Sequence, residues 1–183
     1  MSCQNYCSDL PGIFTNDGCP DESGGIIAAG YIDCSTFETW VDFEDNSEWT
    51  TAIAAENVKT IFFTKGSYEG PEWETEDGYG QADEEITGGT HTCSYSHKNL
   101  NEVSGGVAVN YDFYNKIAKV PGQYYFYMVT GDFDLLISTK PVTVKPRNNI
   151  PESKKEKQTW QVEVTWADSN LTDRYNAPAA IYS

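Results

Sequence analysis

The sequence predicts a mainly β domain, a β-sandwich or a small barrel, and three observations lead to that prediction. The run QTWQVEVTW at residues 158–166 is apolar at every second position from Trp160 to Trp166, which is the period of a strand with one buried face. Aromatic residues make up 14% of the chain and hydrophobic residues 39%, which is typical of a folded chain rather than a disordered one. Two apolar runs flank Gly131-Asp132 and indicate a hairpin.

The other elements follow from the same two periods. Trp49, Ala52, Ile53 and Glu56 are spaced as on a helix that Asn46 or Ser47 can cap. The expected elements, in chain order, are a strand at 25–33, a short helix at 46–56, a strand at 58–64, a strand at 90–100, a flanking helix through Val109, Phe113 and Ile117, the hairpin of 123–130 with 133–138, a short strand at 142–145 leading to a basic loop at 145–157, and the final strand.

A chain of 183 residues suits one domain. We expect that domain at 24–167, preceded by an N-terminal arm at 1–23 and followed by an extended C-terminal tail at 168–183, because neither end has a regular apolar period. The first residues lack a basic start and an apolar core, so we expect no signal peptide. No apolar run approaches the roughly 20 residues of a membrane span, so we expect no membrane partner.

The charge of the chain is strongly negative and unevenly placed. The net charge is −16, and residues 1–90 hold 19 acids against only Lys59 and Lys65. Such a field repels nucleic acid and anionic membranes, which argues against conventional DNA binding. The segment 66–89 has eight acids and no base, and we expect a long exposed loop or hairpin there. Its acids are Glu69, Glu72, Glu74, Glu76, Asp77, Asp83, Glu84 and Glu85.

Two kinds of chemistry could use these acids. A glycoside hydrolase needs two carboxylates held about 5 to 10 Å apart, and Trp73 and Tyr79 supply aromatic rings near Glu72 and Glu74. Calcium also favours oxygen ligands, although the EF-hand spacing is absent. A solvated or pore-facing acidic surface is the interpretation we prefer, because a glycine-rich loop seldom has the rigidity that catalysis needs.

The cysteines and histidines offer a third kind of site. Cys3, Cys7 and Cys19 could recruit His91 or Cys93 to bind zinc, but the spacing does not match a zinc knuckle. We expect Cys34 and Cys93 to be small core or strand residues, and His91 and His97 to lie at the surface. Because no nucleophile, phosphate-binding or metal motif is present, we expect neither an enzyme nor a cofactor.

The order of these segments resembles that of structural proteins of tailed bacteriophages, most of all tail tube proteins. The resemblance rests on GGIIAAGYIDC, the Trp-led helix, the acidic hairpin, VNYDFYNKIAKVPGQYYFYMVTGDFDLLIS and KEKQTWQVEVTW, across residues 24–167. It implies a β-sandwich or small barrel with one flanking helix and a long hairpin. It also implies homo-hexameric rings stacked into a tube, whose acidic, continuous β-barrel lumen lets DNA pass without specific binding. The implied setting is a virion assembled in the bacterial cytoplasm, with other virion proteins as partners.

A requirement for assembly also follows from the residues. The run 124–129 is apolar on both faces, which a lone sandwich covers poorly, so we expect neighbouring subunits to cover it. The expected interface residues are Tyr125, Tyr127, Trp160, Trp166, Lys154 and Lys155. A head-decoration, neck-ring or tail-terminator protein of a phage remains open as an alternative. So does a carbohydrate-binding module that uses Trp40, Trp49, Trp73 and Tyr79.

Overall fold

A computed structural model describes residues 25–62, 65–78, 84–99, 103–104, 107–153 and 155–182. The strands of this part of the chain are β1 (Ile26–Asp33), β2 (Val58–Phe62), β3 (Lys65–Asp77), β4 (Glu84–Lys98), β5 (Val103–Ser104), β6 (Val107–Ala108), β7 (Tyr124–Thr130), β8 (Asp134–Ile137), β9 (Thr143–Asn149), β10 (Thr159–Ala167) and β11 (Asp173–Asn176). The helices are α1 (Cys34–Phe37), α2 (Asn46–Ala54), α3 (Val109–Ile117) and a 3₁₀ helix (Ala179–Tyr182).

The strands form two antiparallel sheets that pack as a β-sandwich, as the sequence predicts. Sheet A has the order β11-β8-β7-β1-β2, and sheet B has the order β3-β4-β10-β9. Strands β5 and β6 form a separate small pair. Within the described residues both sheets stay open, so the barrel alternative is not adopted. Sheet B therefore ends in two edge strands, β3 and β9.

The space between the sheets is filled by the alternating faces that the sequence shows. All four apolar positions of β10, from Trp160 to Trp166, are at most 5% exposed. They pack with Phe126 and Met128 of β7 and with Tyr31 of β1. Burying large aromatic side chains in this way supplies most of the stabilising apolar burial of the sandwich.

A helical layer covers the second face of sheet A. Trp49 of α2 is fully buried, and its ring meets that of Tyr127 edge-on at 5.0 Å. Phe37 of α1 stacks on Tyr125 with ring centroids 3.6 Å apart. The expectation that neighbouring subunits must cover the second face of β7 is therefore wrong, because this layer does so. Helix α2 begins at an N-cap, Asp45, one residue before the predicted caps.

Residues 168–182 do not form the extended tail that we expected. Strand β11 pairs antiparallel with β8, and Ala180 and Ile181 of the 3₁₀ helix are buried against the helical layer. The amide of Ala180 donates to Asn46 Oδ1 at 2.6 Å. Backbone bonding of this kind needs no apolar alternation, which is why the sequence pattern misses it. The predicted N-terminal arm at 1–23 lies outside the described residues.

Helix α3 is the predicted flanking helix, and it packs at the sandwich core. Tyr114 and Ile117 are buried, and Tyr114 meets Trp160 at 4.6 Å. The chain leaves the helix through a turn at Gly122, whose φ of +76° suits a residue without a Cβ. After β7 and β8, the predicted hairpin, β9 extends to Asn149, so the basic loop is shorter than expected.

Candidate functional site: the β3–β4 hairpin and sheet B

Strands β3 and β4 form a long hairpin, as predicted, with 13 and 15 residues. Their pairing runs from Lys65 opposite Ser96 to Asp77 opposite Glu84. Near the sandwich the inward side chains of the hairpin are buried or half-buried in the core. Beyond residue 69 on β3 and before residue 88 on β4 nearly all side chains are exposed. We call this part, residues 69–77 and 84–88, the hairpin tip.

The two faces of the hairpin tip differ in chemistry. Strand register and alternation define these faces, and the register shifts at two bulges, one between Glu69 and Glu72 and one between Glu74 and Thr75. Carboxylates alone occupy the acidic face, which continues the outward face of sheet B, and they belong to Glu69, Glu72, Glu74, Glu76 and Glu85. The opposite, apolar face carries Trp73, Thr75 and Ile86, with Asp77 and Glu84 at its end.

Repulsion between like charges destabilises the hairpin tip in an isolated chain. Seven of the eight predicted acids lie in it, all exposed, and Asp83 lies outside the described residues. Glu76 is directly opposite Glu85, and Asp77 is directly opposite Glu84. Like charges placed directly across a strand pair destabilise the pairing. The tip therefore contributes little to the stability of the domain.

The apolar face of the tip is incompletely covered. Trp73 is 40% exposed and Ile86 is 53% exposed. Single exposed apolar residues are ordinary, but here two large ones share one face of a projecting ribbon. A two-stranded ribbon has no second layer of its own, so a cover for this face must come from outside the described residues.

The charge of the side chains on the outward face of sheet B changes sign along the sheet. Lys65 and Arg147 lie in the row that also holds Ser96 and Gln161, and Lys145 lies in the next row. Lys145 Nζ forms an exposed ion pair with Glu163 at 2.9 Å, which stabilises the fold little. The outward face of sheet B thus carries bases in the two rows of Arg147 and Lys145, and carboxylates at the hairpin tip.

The structure separates the predicted interface residues into two groups. Tyr127, Trp160 and Trp166 are at most 5% exposed and are covered by their own chain, so they have little surface left for a neighbour. Tyr125 is half-buried against Phe37, and Lys155 is exposed. Lys154 lies outside the described residues.

Sequence patterns did not predict a chain of hydrogen bonds that links three buried tyrosines to a half-buried histidine, which we expected at the surface. His97 Nδ1 donates to the Lys98 carbonyl oxygen at 3.0 Å, so its Nε2 accepts from Tyr114 Oη at 2.6 Å. Tyr95 Oη lies 3.4 Å from Tyr114 Oη and 2.7 Å from Tyr31 Oη. Burial raises the pKa of all three tyrosines and lowers the pKa of His97. All four groups are therefore held neutral, which suits a structural network.

The other histidine, which we also expected at the surface, is internal. His91 is fully buried, stacks on Trp166 at 5.0 Å, and has its Nδ1 2.7 Å from Tyr68 Oη. Cys93, on the same face, is buried as expected, and burial raises the pKa of its thiol to about 12. Cys3, Cys7 and Cys19 lie outside the described residues.

The aromatic residues proposed for carbohydrate binding do not form one platform. Trp49 is fully buried, and Trp40 packs against it with ring centroids 4.8 Å apart. Of this set only Trp73 is exposed, while Tyr79 lies outside the described residues. In the described part of the chain, no group of three or more His, Cys, Asp or Glu side chains is arranged to hold a metal ion.

Comparison with known proteins gives no relative. No protein-family model matches the sequence, and no curated protein matches it. Among the residues that the structure describes, no helix is both long and apolar enough to cross a membrane. The hairpin and the face it shares with sheet B are therefore the features from which a function must be argued.

Proposed function

We propose that this protein is a virion structural protein of a tailed bacteriophage that assembles into rings stacked as a tail tube. The observation on which the proposal rests is the two-faced hairpin tip, with carboxylates on one side and Trp73 and Ile86 on the other. An isolated domain gains little from such a ribbon. In a ring both faces of the hairpin tip have a suitable environment, because the apolar face packs inside the wall while the acidic face borders the lumen.

Sheet B is the part of the subunit that suits an inner wall. Its outward face is polar along its whole length, and its two edge strands leave it able to continue into a neighbour on either side. Continuation of the four strands around a ring would close the sheet and remove both edges. The rings would be homo-oligomers, hexameric by the resemblance that the sequence suggests.

An acidic lumen suits a passage for DNA. Duplex DNA carries one negative charge per about 1.7 Å of its axis, so a wall rich in bases would bind it at every step. Carboxylates such as Glu76 and Glu85 repel the duplex and keep it away from the wall. DNA would then pass without specific binding, and the protein would need neither a cofactor nor an active site.

Electron microscopy of the purified full chain tests this function. We expect rings or filaments by negative stain, and a reconstruction in which the carboxylates of the acidic face project towards the ring axis. A particle that stays monomeric at every concentration would contradict the proposal. Rings with these carboxylates only on the outer wall would favour a neck-ring or tail-terminator protein, and subunits bound singly to a capsid lattice would favour a decoration protein.

A further inference from the structure

Strand β9 offers a free edge with a distinctive alternation. It pairs with β10 along one side, and within the described residues no strand pairs with its other side. Lys145 and Arg147 point outward, while Pro146 between them points inward. Proline is tolerated here because the amide positions on the free side of an edge strand are unpaired, and a strand added on that side has one ladder hydrogen bond fewer at Pro146. The edge therefore presents the order base, apolar, base.

Beside this edge lies an open groove between α3 and sheet B. It encloses about 500 Å³. Its apolar lining comes from Tyr111, Tyr114, Ala118, Pro146 and Trp160. Tyr111, which is 41% exposed, stands edge-on to Trp160 at 5.0 Å. An aromatic side chain entering from the free side of β9 would meet aromatic rings and Pro146.

Strand β3 presents the complementary alternation at the opposite edge of the same sheet. Glu72 and Glu74 lie on the acidic face, and Trp73 between them lies on the apolar face. This edge has the order acid, aromatic, acid. In the four-stranded sheet the two edges are separated by roughly 14 Å, so a chain cannot pair its own β3 with its own β9.

We propose that β3 of a second copy of this chain pairs antiparallel with β9, so that the hairpin tip of each copy docks on the next. In this register Trp73 is opposite Pro146, Glu72 is opposite Arg147, and Glu74 is opposite Lys145. Neighbouring strands keep the same outward side, so the acids meet the bases and the indole enters the groove. This register specifies the subunit contact of the proposed assembly and depends on it.

The docking relieves several unfavourable features of the isolated chain at once. It supplies counter-charges for an acidic ribbon, covers the exposed indole of Trp73, and pairs two free sheet edges. Because the two edges are different surfaces, the contact is head-to-tail, and such contacts close into rings or extend as filaments.

Charge reversal with rescue tests the register. The single variants Glu72→Arg and Arg147→Glu should each raise the protein concentration at half-assembly by about tenfold or more, because each places like charges across the contact. The double variant, which restores opposite charges, should assemble within about threefold of the wild type. Sedimentation velocity measures the assembly, and thermal unfolding checks that each variant is folded.

Matched controls separate this contact from general charge and apolar effects. Glu38→Arg and Lys59→Glu change exposed charges on the sheet A side of the chain and should leave assembly unchanged. Trp73→Ala should weaken assembly, whereas Val41→Ala, at a residue that is 90% exposed, should not.

The outcomes distinguish the register from the proposed function. If the wild type assembles while the two charge reversals have no effect, or if the double variant stays as weak as the single variants, the register is overturned and the tube proposal stands. If the folded wild type never assembles, both are overturned.

Discussion

The two halves of the β3–β4 hairpin both alternate between an inward and an outward face, with two bulges that shift the register, and they lie in different environments. Near the sandwich, the inward residues His91, Cys93 and Tyr95 are at most 3% exposed. Towards the tip, the corresponding inward positions hold Trp73 and Ile86, both at least 40% exposed. Alternation thus identifies a strand and its faces, but it does not tell whether a second layer covers them. Burial depends on what lies opposite, and only the near half has β7 and β1 of sheet A opposite it.

The largest difference between the halves should be seen with two matched tryptophans. Trp166→Ala should lower the free energy of unfolding by about 3–5 kcal/mol, because a fully packed ring leaves a cavity. Trp73→Ala should cost about 1 kcal/mol, because much of that ring is already exposed to water. Urea unfolding followed by circular dichroism, at a concentration below assembly, measures both. Equal costs would mean that the tip is packed by its own chain.

Alkaline pH should destabilise the buried tyrosine network, which includes Tyr95 in the near half of the hairpin. Burial raises the pKa of Tyr31, Tyr95 and Tyr114 above the ordinary value, so the folded state retains protons that the unfolded state loses. Their contribution to stability is full below a pH of about 10 and is lost as pH rises above it. The free energy of unfolding should therefore fall above this pH.

Ultraviolet absorbance of phenolate checks this prediction together with circular dichroism. The phenolate signal of the three buried tyrosines should appear only together with the loss of secondary structure. The single variant Tyr31→Phe should reduce the alkaline sensitivity, since it removes one of the protons concerned. A phenolate signal from all tyrosines in a chain that is still folded would contradict the buried network.

A pair of glycines tests the junction between the halves. A methyl group at Gly89 would lie 2.8 Å from the carbonyl oxygen of Asp168 and 3.0 Å from the ring of Trp73. Gly89→Ala should therefore cost about 1–3 kcal/mol through overpacking. Gly70→Ala is the matched control, because nothing lies within 4 Å of a methyl group there. Thermal unfolding of both variants would reveal the difference, and similar midpoints would place the junction outside the packed region.

Shortening the hairpin should have the smallest effect on stability. Replacing residues 75–87 with Asn-Gly joins Glu74 to Gly88, which are directly opposite each other, through a two-residue turn. The free energy of unfolding should change by less than about 1 kcal/mol, because the described residues of the removed part, 75–78 and 84–87, bury little and their acids repel each other. Assembly should be retained, because Glu72, Trp73 and Glu74, which make the proposed contact, remain in the shortened chain. A shortened chain that no longer forms rings would extend the subunit contact beyond Glu74.

Much of the fold is predictable because its strongest signals are local. The alternation from Trp160 to Trp166 places a core strand, and the apolar runs around Gly131-Asp132 place the β7–β8 hairpin. The period through Phe113 places α3. In each case the side chains that face the core recur at the period of the element itself, so a single sequence suffices.

Other features are invisible to periodicity because distant groups hold them in place. Strand β11 is polar, and Glu44 Oε1 accepts hydrogen bonds from the amide and side chain of Asn176, 132 residues away. The layer over sheet A depends on Phe37 at the end of α1 and on Trp40 and Phe43 in the irregular segment that follows. The pairing of His97 with Tyr114 requires α3 to pack beside β4. The charged candidates of the tip were identifiable from sequence, but the faces they occupy depend on two bulges.

The packing of residues 173–182 has a consequence for synthesis on the ribosome. Strand β8 receives its outer neighbour from Asp173–Asn176, and the layer over α2 is completed by Ala180 and Ile181. A nascent chain interrupted before residue 173 leaves these apolar surfaces open, although its hairpin has already been made. Completion of the domain therefore waits for the last of these residues to emerge. A chain released early would expose apolar surface to the proteases and chaperones of the cell.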